Sequence, residues 1–163
     1  MAPASPSPYD QASSPDRKPS GAPQRRLQLA NAASGWGSTT TVVATYVVSP
    51  GPGRPSLQFS DCRKAAERRG WTVAREYTDY RPAGFERLDL GEQWAHMLRL
   101  VETGLLDGVV VHDLATVARD EQDYRTLVNW ATDHSTFVLF LDGARYGRDH
   151  LIGRRPAAPT RAA

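Results

Sequence analysis

The chain has 163 residues, of which 40% are apolar and 23% charged, so it is long enough for one soluble domain with its own core. Its single cysteine, Cys62, excludes an intrachain disulfide, argues against a zinc site and suits a reducing cytoplasm, where we expect the protein to reside. No apolar run reaches the roughly 20 residues of a membrane span, and the N-terminus lacks the apolar segment of a secretory signal, so no membrane partner is expected.

The net charge of +2 is unevenly distributed along the chain. Residues 1–40 carry four basic and two acidic groups, and residues 152–163 carry three basic groups and no acidic one. Subtracting both ends from the totals of 20 and 18 leaves 13 basic and 16 acidic groups in residues 41–151. A body that neutralised many phosphates would carry a basic excess, so this balance argues against tight DNA binding by the body alone.

Residues 1–40 are predicted to be a disordered tail rich in Pro, Ser and Ala. Six prolines lie within the first 23 residues, and almost nothing there is apolar enough to form a core. Arg25 and Arg26 would suit a nucleic-acid contact, but a solvated basic pair is the simpler interpretation.

The folded body is predicted to open with a strand, a helix and a second strand. Residues 41–48 are strongly β-forming, and the Pro- and Gly-rich residues 49–53 end that strand. A helix is predicted over 56–69, with Gly70 as its stop, and residues 71–77 alternate as a strand does. The residues predicted to face inward from this helix are Leu57, Cys62, Ala65 and Ala66.

The second part of the body continues the alternation of helices and strands. Its predicted elements are a loop over 78–89, a helix over 91–102, a strand over 107–111, a helix beginning at Asp120 or Asp123, and a strand over 137–141. Apolar residues recur at helical spacing in the two helices: Trp94, Met97, Leu98 and Val101, then Tyr124, Leu127, Val128 and Ala131. Residues 143–163 are predicted to be a basic, disordered tail, which assigns the folded body to residues 41–142.

Strands that alternate with helices through short connections predict an α/β fold. We expect a single three-layer sandwich with a mostly parallel sheet of four or five strands and helices on both faces. The valine run at 109–111 is typical of a strand buried on both faces, and polar side chains appear only where it ends, at His112, Asp113, Thr116 and Arg119. That end of a parallel sheet is where ligands bind, so these residues are site candidates.

Other polar residues point less clearly to a site. His96 and His134 lie on or beside helices and are better explained by packing than by a catalytic or metal role. The prolines in residues 49–54 remove N–H donors that a phosphate-binding loop needs. No cofactor or metal is therefore expected.

Several short stretches together resemble the catalytic domain of the serine recombinases, the resolvase/invertase family. The most specific is Gln58-x-x-x-Cys62 running to Ala66-Glu-Arg-Arg-Gly70-Trp71, followed by Val73 and Tyr77-Thr-Asp79. Supporting pieces are Met97-Leu98, Val101-x-x-Gly104, Asp107-x-Val-Val-Val111 and Val138-Leu-Phe-Leu141. The resemblance covers about residues 41–142 and implies a resolvase-like fold.

The resemblance also implies a chemistry and a set of residues for it. In this family a serine at the end of the first strand attacks a DNA phosphodiester and forms a phosphoserine link, and arginines and an aspartate surround the phosphorus. Ser49 stands where the nucleophile belongs, Arg119 matches one arginine, and Arg87 or Arg81 is the candidate for the arginine before the second helix. A serine that merely opens a Ser-Pro turn is the alternative interpretation of Ser49.

The family pattern departs from this chain at the charged positions. Val47 stands where an arginine is expected and Thr45 where a tyrosine is, while Ala115 and Thr116 replace an aspartate and an arginine. Losing one preorganised donor costs about 2.7–4 kcal/mol of transition-state stabilisation, so several losses together predict impaired strand transfer.

Three hypotheses follow from these residues. The first is a serine-recombinase-type protein with impaired catalysis that meets DNA weakly or indirectly and acts as a homodimer or beside a partner recombinase. The second is an active strand transferase with a rearranged arginine set. The third is an unrelated α/β binding or signalling module, from which a phosphate-accepting receiver is set aside because Ser49-Pro50 offers no acidic pair after the first strand. An inactive dimerising or regulatory α/β module without DNA cleavage is the alternative to the first hypothesis.

Overall fold

The computed structural model describes residues 40–81 and 91–156, which form a five-stranded sheet between two helical layers. The strand order is β2-β1-β3-β4-β5. The elements are β1 (Val42–Ser49), α1 (Ser56–Glu67), β2 (Thr72–Tyr80), α2 (Glu92–Glu102), β3 (Gly108–Asp113), α3 (Glu121–Asp133), β4 (Phe137–Asp142) and β5 (Arg148–Gly153), with short 3₁₀ turns at Leu114–Thr116 and Ala144–Tyr146. The predicted α/β sandwich is confirmed, with five strands.

The three inner strands form the parallel centre of the sheet. In β1 and β3, the β-branched residues Val43, Val109, Val110 and Val111 are fully buried, because helices cover both faces. β1 pairs in parallel with β2 and β3, and β3 pairs in parallel with β4. The carboxyl ends of these four strands therefore meet at one edge of the sheet.

Two apolar clusters occupy the two faces of the sheet. Helices α2 and α3 cover one face with the buried residues Trp94, Met97, Leu127 and Trp130, of which the first three were predicted to face inward. Helix α1 covers the other face through Phe59, Cys62 and Ala66.

One inward assignment in α1 was wrong. Leu57 is 80% exposed, and Phe59 fills the core in its place. Leu57 and Phe59 both lie in the first turn of α1 but on different sides of the helix, and the docking of α1 on β1 and β3 leaves the side of Leu57 in solvent.

The folded body extends beyond the predicted boundary at residue 142. Strand β5 pairs antiparallel with β4 and buries Ile152, while Leu151 packs against the α1-side cluster. The segment has few apolar residues because an edge strand is covered on fewer sides. Its order therefore depends on pairing with β4. The N-terminal tail predicted over 1–40 and most of the loop predicted over 78–89 lie outside the described residues.

Within the described ranges, no helix has the length and apolar character that crossing a bilayer requires.

Candidate active site

Ser49 is the last residue of β1 and is held inside its own turn. The residue is 7% exposed. Its Oγ donates a hydrogen bond to the carbonyl oxygen of Gly51 at 2.7 Å, and the carbonyl oxygen of Gly53 lies 3.5 Å away. The hydroxyl therefore closes the Pro- and Gly-rich turn that leads into α1, as the turn interpretation expects. The nucleophile role of Ser49 stays a prediction.

Arg81 is the arginine that the described fold brings beside Ser49. Its backbone N–H donates to the carbonyl oxygen of Ser49 at 2.8 Å, continuing the ladder between β1 and β2. Its guanidinium reaches across the sheet edge and donates to the carbonyl oxygen of Thr116 at 3.0 Å. Arg81 thus connects the ends of β1 and β3. Arg87, the other candidate for this role, lies outside the described residues.

The segment after β3 turns before it reaches α3. Asp113 accepts the N–H of Ala115 at 2.9 Å, and the hydroxyl of Thr116 donates to the carbonyl oxygen of Asp113 at 2.6 Å. Both bonds are internal to the 3₁₀ turn Leu114–Thr116. The polar side chains Asp113 and Thr116 therefore stabilise the local backbone.

Arg119 is committed to a partner in α3. Its Nε donates to Asp123 Oδ2 at 2.9 Å, and its backbone N–H donates to the same oxygen at 3.1 Å. Asp123 is 2% exposed, so this ion pair is shielded from water on the carboxylate side. The neighbouring Asp120 accepts the N–H of Asp123 and caps the helix.

Asp79, near the end of β2, forms hydrogen bonds to β1 and to α2 that were not predicted from the sequence. Its carboxylate accepts the hydroxyl of Tyr46 at 2.9 Å and the backbone N–H groups of Gln93 and Trp94 at 3.2 and 3.0 Å. It therefore caps α2 through a side chain that is distant in sequence. Gly91 permits this approach, because a Cβ there would lie 2.3 Å from the carboxylate. The only indication of this role in the sequence was the motif Tyr77-Thr-Asp79, which ends in the capping aspartate and belongs to the family resemblance.

Tyr46 is neutral in this arrangement. Burial, together with the charge of Asp79, holds the pKa of the Tyr46 phenol well above its ordinary value. The phenol thus acts as a hydrogen-bond donor to Asp79 and is fully buried, with its ring tilted against Trp94 at a centroid distance of 4.8 Å.

The positions at which this chain departs from the family pattern lie in different surroundings. Val47 is 3% exposed and belongs to the cluster under α1. Thr45 is fully buried, and its hydroxyl has no hydrogen-bond partner among the described residues. Ala115 is exposed. His112, at the end of β3, pairs with Asp61 of α1 at 3.6 Å.

Arginine side chains at the carboxyl edge of the described sheet donate to protein oxygens. Arg81 donates to Thr116, Arg119 donates to Asp123, and Arg145 forms an ion pair with Glu121. A pentavalent phosphorus needs several fixed donors around one point.

Residues 40–81 and 91–156 hold no group of three or more His, Cys, Asp and Glu side chains suited to a metal ion.

Two comparisons show what this chain is similar to. The model of the family "Resolvase, N terminal domain" matches residues 47–154, which includes β5. A solved structure, "Crystal Structure of the N-terminal Catalytic Domain of TP901-1 Integrase", aligns with a TM-score of 0.52 and 24% sequence identity, covering 62% of this chain and 77% of that one. At that identity the likeness concerns the fold. No curated protein is significantly similar in sequence.

Proposed function

This chain belongs to the serine recombinase family through its resolvase N-terminal domain, and we propose that its strand-transfer centre is impaired. The full reaction would require the oxygen of a serine to attack phosphorus while the bond to the 3′ oxygen breaks, leaving a 5′-phosphoserine link. It also requires positive groups around the phosphoryl oxygens.

The observation that carries the proposal is the hydrogen bond from Ser49 to Gly51 at 2.7 Å. An attacking serine must give up its proton to a base and turn a lone pair toward phosphorus. The described residues place a backbone carbonyl there, which is too weak a base to take that proton. The hydroxyl is therefore used as a turn-closing donor.

A second support comes from the buried valine two residues earlier. Val47 packs beneath α1 at 3% exposure, where an arginine would have to bring its charge into an apolar cluster. Thr116 also stands where the family has an arginine, so two donors of the family set would be missing, while Arg119 is retained but donates to Asp123. At about 2.7–4 kcal/mol for each lost donor, the rate would fall by several orders of magnitude.

DNA remains the partner class that the family membership favours, with weak binding. Residues 41–151 carry 13 basic and 16 acidic groups, so binding would depend on the basic ends and release few counterions. Association with a second copy or with a related active recombinase belongs to the same proposal.

The test is a search for a covalent protein–DNA adduct. The full chain is incubated with a pool of random-sequence duplexes, denatured and resolved by gel, and Ser49 peptides are examined by mass spectrometry. We expect no phosphoserine-linked nucleotide. An adduct that resists denaturant and disappears in Ser49→Ala would establish the active alternative and overturn impairment.

A matched pair of variants tests the structural role of the same hydroxyl. Ser49→Ala should lower the free energy of unfolding by about 1 kcal/mol, because a partly buried hydrogen bond is lost. Ser56→Ala removes an exposed hydroxyl that lies 3.4 Å from the carbonyl oxygen of Arg54. This variant should change the free energy of unfolding by less than about 0.5 kcal/mol. Equal unfolding midpoints in urea for Ser49→Ala and wild type would contradict the turn-closing role.

A further inference from the structure

The two edges of the sheet differ in how they are protected from pairing with a further strand. Strand β5 has six residues, and Asp149 inside it adopts a φ of +52°, which interrupts the regular edge. Strand β2 has nine residues and contains no lysine, proline or glycine. Lysine and proline are the residues that commonly blunt an edge strand. The β2 edge is therefore the longer and the less protected of the two.

The irregularity in β2 lies near the start of the strand and leaves the rest regular. The register with β1 shifts between Val43 and Ala44, so that Ala74 is the extra residue of β2. From Arg75 to Tyr80 the register is continuous. Arg75 and Tyr80 are both exposed, so solvent reaches this stretch at its two ends. Residues 75–80 thus form an uninterrupted edge.

The backbone groups of this stretch alternate between β1 and the outer side. The N–H of Arg81 donates to the carbonyl oxygen of Ser49, so Arg81 and every second residue before it face β1. The N–H and C=O groups of Glu76, Thr78 and Tyr80 face the opposite way. Among the described residues, β2 pairs only with β1. These three residues therefore present hydrogen-bond donors and acceptors to an incoming strand.

The charges of β2 exclude most ways of pairing it with a second copy of itself. In an antiparallel pair about a two-fold axis, like charges directly opposite each other are destabilising. An axis at a charged residue sets that residue against its own copy, which excludes Arg75, Glu76 and Asp79 as centres. An axis at Thr78 sets Arg75 against Arg81 of the second copy.

An axis at Tyr77 instead brings opposite charges together. Arg75 then lies opposite Asp79 of the second copy, and the axis repeats this pair. The outward backbone groups of Glu76 meet those of Thr78 in the second copy, which is the arrangement that an antiparallel ladder requires. Charge and hydrogen bonding therefore favour the same register.

We propose that the outer edge of β2 binds a second copy of this chain, so that two five-stranded sheets join antiparallel about a two-fold axis at Tyr77. The inference deepens the proposed function by assigning a surface to the association with a second copy, and it rests on that part of the proposal alone. It requires neither DNA nor the Ser49 hydroxyl.

The experiment measures the oligomeric state and the amide hydrogen exchange of the full chain without DNA. Sedimentation velocity over a series of micromolar concentrations should show an equilibrium between monomer and dimer. Exchange at Glu76 and Thr78, followed by NMR of the ¹⁵N-labelled chain, should slow at least about tenfold as the dimer forms, because these N–H groups become hydrogen-bonded. The amides of Tyr77 and Asp79 face β1 already and serve as internal references.

A charge reversal and its matched control test the register. Arg75→Glu sets two carboxylates against each other on both sides of the axis and should weaken dimerisation at least about fivefold. Arg148→Glu makes the same change of charge at an exposed position of the β5 edge and should leave the dissociation constant unchanged. Equal dissociation constants for Arg75→Glu and wild type would overturn the axis at Tyr77. Should Arg75→Glu unfold, the exchange of Glu76 and Thr78 in the wild type decides.

The outcomes separate this inference from the impairment of strand transfer. A chain that stays monomeric at every concentration would overturn the second copy as occupant and leave the edge to a strand of another protein. A dimer in which Glu76 and Thr78 exchange as fast as in the monomer would overturn the assignment to β2. A Ser49–DNA adduct would overturn impairment, whereas slowed exchange at the two amides would still support pairing through β2.

Discussion

The carboxyl edge of the sheet has two halves that use their polar side chains differently. In the β1–β2 half, Ser49, Asp79 and Arg81 donate to or accept from the backbone or buried groups, and they hold strand ends and helix α2 in place. In the β3–β4 half, Arg119 and Arg145 pair with carboxylates around an open apolar cleft. Polar side chains of the β1–β2 half thus bind backbone and buried groups, whereas the arginines of the β3–β4 half are held in ion pairs with carboxylates of α3.

The largest expected difference between the halves is the change in the free energy of unfolding when a charged residue of the family pattern is introduced. Val47→Arg would place a guanidinium in the cluster under α1 and should lower the free energy of unfolding by about 4 kcal/mol. Ala115→Asp, at an exposed position of the β3–β4 half, should change it by less than about 0.5 kcal/mol. Urea unfolding measures both, and a stable Val47→Arg protein would show that this position tolerates the family arginine.

A smaller difference is expected for two aspartates at strand ends. Asp79→Ala leaves the Tyr46 hydroxyl and the first turn of α2 without their acceptor, which should cost about 3 kcal/mol. Asp142→Ala removes one exposed bond to the N–H of Ala144 and should cost less than about 1 kcal/mol. Similar urea midpoints for the two variants would mean that Asp79 does not organise the β1–β2 half.

A difference in the pH dependence of stability also separates the two halves. Burial raises the pKa of Cys62, beneath β1, from 9.0 to about 12, so the folded state prefers the protonated thiol. The contribution of this thiol to the free energy of unfolding is complete below pH 9. It is lost as the pH rises toward 12, by up to about 1.4 kcal/mol per pH unit. The raised pKa of Tyr46 acts in the same direction.

Cys62→Ala tests this pH dependence through its slope. The variant should unfold with a shallower loss of stability between neutral and alkaline pH, whatever its stability at pH 7. Parallel curves for variant and wild type would contradict the assignment. In the β3–β4 half the lowered pKa of His150 has the opposite consequence, since stability is lost there as the pH falls below 6.5.

Much of the fold was predictable from local patterns. The valine run of β3 and the spacing of Trp94, Met97, Leu98 and Val101 in α2 identify buried elements, because burial on one or both faces imposes a period on the sequence. The side that the first turn of α1 presents was not predictable at Leu57, since it depends on how the helix docks. Strand β5 escaped detection because its order comes from pairing with β4.

The location of the candidate site was predictable from the sequence, but most contacts of its side chains were not. Ser49 and the segment after β3 were located by strand ends, which a parallel sheet brings together. The contact between Arg81 and Thr116 spans 35 residues, and that between Tyr46 and Asp79 spans 33, so no local pattern encodes either. Asp123 as the partner of Arg119 depended on which turn of α3 faced the loop.

The sequence by itself determined the family, the α/β alternation and the absence of charge at Val47 and Ala115, because these depend on residue identity and on the periods of helix and strand. Tertiary structure decided that Asp79 accepts from Tyr46 and caps α2, and that Arg81 reaches Thr116. These contacts join residues distant in sequence, and the free energy of each contact exists only once the elements are packed.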